Sequence, residues 1–167
     1  MSFDQTTKSD GLQEKVVRVK RHSKVVKGGR KFRFVSMVAV GDGKGRIGLS
    51  KRPAREVSIA TQKALEKARR NMLSFELNNH TIYHRVEARY GATKVVLIPA
   101  MEGTGIVAGG PMRAIFEVLG IKNIVAKIIG SSNAINVMRA TLIALMKITP
   151  PEFVADKRGK SLAEIYN

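Results

Sequence analysis

From Lys15 to Gly41 the chain contains no Asp or Glu. Within that stretch Arg18, Lys20, Arg21, Lys24, Lys27, Arg30, Lys31 and Arg33 fall inside sixteen positions. An ordinary solvated face mixes charges of both signs. A run of one sign repels itself and needs an anionic neighbour. The local pattern also restricts its shape. Val17 and Val19 alternate with charged residues, so Glu14–Lys20 is predicted as a half-buried strand. Gly28-Gly29 marks a turn. Phe32 and Phe34 flank Arg33, and Val38 and Val40 follow, so Lys31–Val40 is predicted as a second strand with the two Phe in the core.

Composition agrees with an anionic partner. The 167 residues carry 30 Lys and Arg against 13 Asp and Glu, a net charge of +17. The front half holds most of it: 19 basic against 7 acidic residues over 1–80, and 11 against 6 over 81–167. Apolar content of 44% suffices for a packed core. There is no cysteine, which excludes disulfides, thiolate metal sites and a cysteine nucleophile. No apolar run approaches the roughly 18 residues of a membrane span. The first residues have neither an apolar signal core nor the acid-free composition of a transit peptide. Nucleic acid is therefore the expected partner, ahead of an anionic membrane surface.

Further along, residues 1–11 are polar and aperiodic and are predicted as a flexible tail. Gly41-Asp42-Gly43-Lys44-Gly45 predicts a hairpin turn, with Arg46–Ser50 returning as a strand. Pro53 is read as the first residue of a helix running to about Leu73, with Ala60, Ala64 and Ala68 on its apolar face. That makes three antiparallel strands and one helix. A second unit starts near Phe75. It is predicted to hold strands at Thr81–Ala88, Thr93–Pro99 and Ile121–Ile129. Helices are predicted from Pro111 to Leu119, ended by Gly120, and from Ala134 to Lys147 after a Gly130–Asn133 cap. A short helix over Pro151–Lys157 and a last turn over Ser161–Tyr166 follow the Pro150-Pro151 break. No Pro-, Gly- or Ser-rich linker separates the units, so they are expected to pack closely.

Candidate chemistry outside the basic stretch is thin. His80 and His84 stand four apart, but on a strand that is about 13 Å, too far for one metal. Gly103–Gly110 sits between a strand and a helix, where a dinucleotide loop would lie. The following strand offers Lys122, Asn123 and Lys127 rather than an acid for a ribose hydroxyl. No acid–base pair stands out, and neither a metal nor a cofactor is expected. A second basic cluster, Lys51-Arg52-Pro53-Ala54-Arg55, is read at a helix N-terminus, where the dipole would favour phosphate. A nucleotide-dependent enzyme using Gly103–Gly110 and a stand-alone double-stranded-RNA regulator are the competing readings.

Several longer motifs carry a resemblance. They are Val26-Lys-Gly-Gly-Arg-Lys-Phe32, Val40-Gly-Asp-Gly-Lys-Gly-Arg-Ile-Gly48, Ala64-Leu-Glu-Lys-Ala-Arg-Arg-Asn-Met72, Glu102-Gly-Thr-Gly-Ile-Val-Ala-Gly-Gly110, Gly130-Ser-Ser-Asn-Ala-Ile-Asn-Val-Met-Arg-Ala-Thr141 and Lys157-Arg-Gly-Lys-Ser161. Over about residues 12–165 the chain resembles the family of bacterial small-subunit ribosomal protein five. The resemblance implies an α+β protein with three parts: the tail 1–11, a double-stranded-RNA-binding-like domain over 12–75, and a C-terminal domain over 76–167. That last domain would be a β-sheet with two packed helices and a left-handed β-α-β crossover, against the general rule.

The resemblance also implies a non-enzymatic, cytoplasmic role as a monomer within the small ribosomal subunit. It would bind rRNA where head meets body and touch ribosomal proteins four and eight. Implied rRNA-binding residues are Arg18, Lys20, Arg21, His22, Ser23, Lys24, Lys27, Gly28, Gly29, Arg30, Lys51, Arg52 and Arg55. Gly103, Thr104, Gly105 and Arg113 are implied at a protein contact that influences decoding accuracy. Ser23, Lys24, Val26, Lys27 and Gly28 fall in the loop that this family places near the spectinomycin site.

Overall fold

The computed structural model describes residues 11–166. The predicted tail, apart from Gly11, lies outside them. Two four-stranded sheets are formed. The first is antiparallel and runs in sequence order: β1 (Gln13–Val26), β2 (Gly29–Gly41), β3 (Arg46–Ala54) and β4 (Met72–Ser74), with helix α1 (Val57–Arg70) between the last two. The second sheet has the order β5 (Val86–Tyr90), β6 (Thr93–Pro99), β8 (Ile124–Gly130), β7 (Ile106–Val107). Helix α2 (Gly110–Leu119) joins β7 to β8, which pair in parallel. Helices α3 (Ala134–Met146), α4 (Pro151–Arg158) and α5 (Leu162–Tyr166) complete the chain. This is the α+β class that the sequence implies.

The β1–β2–β3 sheet is covered on both faces at its base. Val38 and Val40 point one way, onto Ala64 and Ala68 of α1, with Val16 and Leu65 beside them. Those alanines recur every fourth residue, so one narrow strip of α1 lies on the sheet. Met37, Ala39 and Ile47 point the other way, into a core shared with Ile115, Phe116 and Leu119 of α2 and with β5, β6 and β8. The period-2 alternation of strand side chains thus gives each face its own hydrophobic partner. One continuous core crosses both sheets, which is the close packing that the missing linker suggested.

The join between the units is backbone against backbone. The Gly43 and Gly45 N–H groups donate to the carbonyls of Val118 (3.1 Å) and Leu119 (3.0 Å), at the end of α2. Gly120 closes that helix with φ 93°, its N–H on Phe116 O. A Cβ at Gly120 would sit 2.0 Å from Gly43 O, and one at Gly41 would sit 2.4 Å from Val118 O. Only glycine allows this approach. Asp42 shapes the same turn, its Oδ1 accepting from the N–H of Lys44 (2.8 Å) and Arg46 (3.0 Å).

Several expectations change. Pro53 does not open a helix: it lies on β3, opposite Val35. β4 pairs only with Arg46–Gly48, so Pro53 stands where β3 has one open edge and a missing N–H costs little. The helix begins at Val57 after Glu56 and ends at Arg70. Met72 and Leu73, assigned to that helix, belong instead to a fourth strand that runs to Ser74. Thr81–Tyr83 are not strand, since Thr81 only bridges Asn78 and β5 starts at Val86. Ile106-Val107 turns part of the glycine loop into β7. Phe32 is 46% exposed rather than core. The predicted cap is present, with Asn133 Oδ1 accepting from Ile135 N at 3.3 Å.

Candidate nucleic-acid interface

Beyond its base the β1–β2 hairpin loses its cover. Arg18 through Val25 on β1 and Gly29 through Arg33 on β2 are exposed, as are Lys27 and Gly28 at the two-residue turn. Nine residues of extended strand reach roughly 25 Å. Cross-strand register fixes which side chains share a face. Arg18 stands opposite Met37, Lys20 opposite Val35, His22 opposite Arg33, and Lys24 opposite Lys31. Lys51 on β3 is also opposite Met37. Arg18, Lys20, His22, Lys24, Lys31, Arg33 and Lys51 therefore line one face, the one that turns toward the second unit at its base. The other face carries Arg21, Ser23 and Arg30, with Arg21 stacked on the Phe32 ring at 4.8 Å. Val26 pairs with Gly29 and closes the tip.

Like charges directly opposite one another destabilise a sheet. The Lys24–Lys31 pair is such a conflict. Among the described residues no carboxylate bonds to Lys20, Arg21, Lys24, Lys27, Arg30, Lys31 or Arg33. Local rules broken without internal compensation mark functional surfaces. Phosphates would supply what the fold does not.

The second predicted cluster is assembled differently from the helix-terminus reading. Lys51 and Arg52 are neighbours on β3 and point to opposite faces of the sheet. Arg52 joins Lys63, Lys67 and Arg70 of α1 around an open groove of about 600 Å³ that also includes Glu66. Lys51 and Arg52 both line a second cleft toward α3, with Arg139. Arg55 is exposed in the bend before α1, and the end cap Glu56 makes no side-chain bond to the helix. Sequence reasoning did not attach Arg139 to this surface, because only the tertiary fold brings α3 beside β3.

The glycine loop is a packed connection. Gly103 and Gly105 take φ of 89° and 73°. Asn123 Oδ1 accepts from Gly105 N (3.1 Å), and Gly105 O accepts from Ile124 N (3.1 Å). Asn123 is 8% exposed, so this buried amide fixes the loop against β8. Thr104 N donates to Met101 O, leaving the Gly103-Thr104 turn exposed at the surface. Arg113 follows on α2, exposed, its Nε on Glu117 Oε1 at 3.1 Å. Glu117 also takes the Lys15 ammonium, tying α2 to β1.

One ion-pair cluster lies away from these surfaces, around Glu87. Glu87 takes Lys94 and Arg85, both at 2.6 Å. The hydrogen bond from Lys94, followed by that from Arg85, lowers the Glu87 pKa. His84 accepts from Thr149 N at Nε2 (3.2 Å) and contacts Arg85 O through Nδ1 (3.0 Å), so both ring nitrogens are engaged. No group of three or more His, Cys, Asp or Glu able to hold a metal occurs among the described residues. None of the helices there is long and apolar enough to cross a membrane.

A long cationic β-ribbon, a basic helix face beside it and a shared core behind them define an α+β protein built to rest on a folded polyanion. The family profiles place it further. "Ribosomal protein S5, N-terminal domain" matches residues 12–76, and "Ribosomal protein S5, C-terminal domain" matches residues 88–158. A small ribosomal subunit protein uS5 of Legionella pneumophila (strain Corby) is 56% identical over 165 residues, covering 99% of this chain and 98% of that protein. The uS5 proteins of Alcanivorax borkumensis (57% over 159 residues, 95% of each chain) and Nitrosomonas eutropha (55% over 158 residues, 95% and 89%) are similar. The chain belongs to the ribosomal protein S5 family.

Proposed function

We propose that the tip of the β1–β2 hairpin binds rRNA at the junction of head and body in the small ribosomal subunit. That the chain is a non-enzymatic, structural constituent of that subunit, working in the cytoplasm on rRNA, follows from its family. The observation that carries the finer reading is the unpaired, like-charged tip. Lys24 faces Lys31 with no acid to relieve them, and the tip has no second use in the fold. Arg18, Lys20, Arg21, His22, Ser23, Lys24, Lys27 and Arg30 contact phosphates and sugars there. The Gly28-Gly29 backbone, free of side chains, comes close to the same strand. Lys51, Arg52 and Arg55 extend the contact along the sheet. Ser23, Lys24, Val26, Lys27 and Gly28 lie beside the spectinomycin site.

The exposed Gly103-Thr104 turn, with Gly105 behind it, and Arg113 form the contact with a neighbouring protein, with ribosomal proteins four and eight as the partners. That contact resists the closure that accompanies decoding, and loosening it shifts the population toward the closed state. The chain acts as two domains, over 12–75 and 76–167, within one packed body.

Binding to small-subunit rRNA tests the tip. Each phosphate contact contributes about 0.7–0.9 to the slope of log affinity against log salt. Lys24→Ala with Lys27→Ala should therefore lower the slope by roughly 1.5 and weaken binding at low salt. An unchanged slope removes the tip from the interface. Arg113→Ala should raise misreading in a codon-specific reporter while subunit assembly stays normal; an unchanged error rate removes Arg113 from the accuracy contact.

A further inference from the structure

We propose that the cleft bounded by β3, α1 and α3 is a binding site for one nucleoside phosphate, supplied by an unstacked nucleotide of RNA. The inference rests on the rRNA-binding reading and adds a recess for a single base to it. The same chemistry is available from a free mononucleotide, and the test separates the two sources.

Independent features meet in this cleft. Its volume, about 340 Å³, lies at the small end of ligand clefts, which span roughly 300–1,000 Å³. Four cations line it, Lys51, Arg52, Lys67 and Arg139, and no carboxylate does. Its walls are apolar, with Met138 and Leu142 of α3 facing Leu49 of β3. A planar base fits between aliphatic walls while its phosphate meets the cations at the rim.

One buried polar side chain inside lacks a partner among the described residues. Ser50 is 7% exposed, yet its Oγ has no hydrogen-bond partner, and it lines the cleft. A buried hydroxyl left unsatisfied is costly and calls for a ligand. The β3 backbone is open here too. β4 covers only Arg46–Gly48, so beyond Gly48 the strand pairs with β2 on one side and with nothing on the other. An unpaired strand edge offers N–H and C=O groups to an incoming molecule. Together with the Ser50 hydroxyl, that edge can read the edge of a base.

The position favours RNA over a protein strand. Strand addition would use the open edge but leave four cations unanswered. The cleft also continues the charged row of the hairpin, since Arg18 and Lys51 flank Met37 on the same face. A strand of RNA following the tip would thus arrive at the mouth of the cleft. Arg139 is already stacked on Tyr90 at 5.1 Å, which holds its guanidinium at the rim.

Two measurements on the full chain test this. In the first, a benzophenone amino acid replaces Leu142, the chain is assembled into small subunits, and the particles are irradiated. A crosslink to a single rRNA nucleotide is expected. In the second, the methyl groups of Met138 and Leu142 are followed by NMR as AMP, GMP, CMP, UMP or inorganic phosphate is added. Nucleotides should shift both methyls and inorganic phosphate should not, and Lys67→Ala with Arg139→Ala should weaken binding about tenfold.

A crosslink to RNA supports the site with RNA as its source. Methyl shifts without that crosslink support it with a free nucleotide as the ligand. A crosslink to a neighbouring protein, or neither signal, overturns it. The tip is judged separately by its salt slope, so the cleft and the hairpin can fail independently.

Discussion

At its base the β1–β2 hairpin holds Glu14 against Arg69 (2.5 Å) and Lys15 against Glu117, and hydrophobic cores cover both faces. At its tip the same two strands are bare, and Lys24 stands opposite Lys31. The backbone is continuous and the pairing is the same antiparallel ladder. Only the side chains and their surroundings differ. The base therefore answers to the stability of the isolated chain, whereas on the proposed reading the tip is tolerated by the chain and stabilised by rRNA. Substitutions at the two ends should separate cleanly: base variants alter unfolding, and tip variants alter the salt dependence of RNA binding. A base variant that changes the salt slope without changing stability would break the division.

The largest effect on the base is expected at Gly41. An alanine Cβ there would lie 2.4 Å from Val118 O and 2.6 Å from Arg46 O, both backbone atoms with no rotamer to move. Either β2 or the end of α2 must shift, and the core shared by the two units opens. Gly41→Ala should cost about 3 kcal/mol, the upper end for overpacking. That is a fall of roughly 10 °C in Tm for a chain of this size. Thermal unfolding followed by circular dichroism measures it. A loss under about 1 kcal/mol would mean that the seam is compliant, and that the base of the hairpin is not the rigid mount on which the tip depends.

How much of this division was readable beforehand depends on the range of the contacts. The turn at Gly41–Gly45, the glycine stop at Gly120 and the Asn133 cap are written in neighbouring residues, and all three are present. Pro53 was ambiguous because proline suits both a first helical turn and an open strand edge. The choice was made by pairing with Val35, which no local pattern reveals. Met72 looked helical because it continues the spacing of α1. It became part of a strand only through register with Arg46–Gly48. For the candidate interface, the basic cluster was plain, but the faces were not. The bulge at Val17 shifts the register between Val16 and Arg18, and this sets which cations stand together. Arg139 and the Ser50 hydroxyl were invisible, since they join the surface only after α3 packs beside β3.

A smaller and more selective effect is expected at Glu14. Its side chain is 7% exposed and holds Arg69 through both Nε (2.8 Å) and Nη2 (2.5 Å). Breaking a buried pair from one side costs about 3–5 kcal/mol when the remaining charge is trapped. Arg69 is not trapped, because its side chain is 39% exposed and can turn to water. The loss for Glu14→Ala should therefore be reduced to about 2 kcal/mol, well above an exposed ion pair. The remaining prediction concerns RNA. Below the unfolding transition the β1–β2 ladder keeps its register, so Glu14→Ala should leave the salt slope of rRNA binding where it was. Urea unfolding and salt titration of the same variant check both halves. If the slope falls along with stability while the chain remains folded, anchorage at the base and phosphate contact at the tip act as one unit.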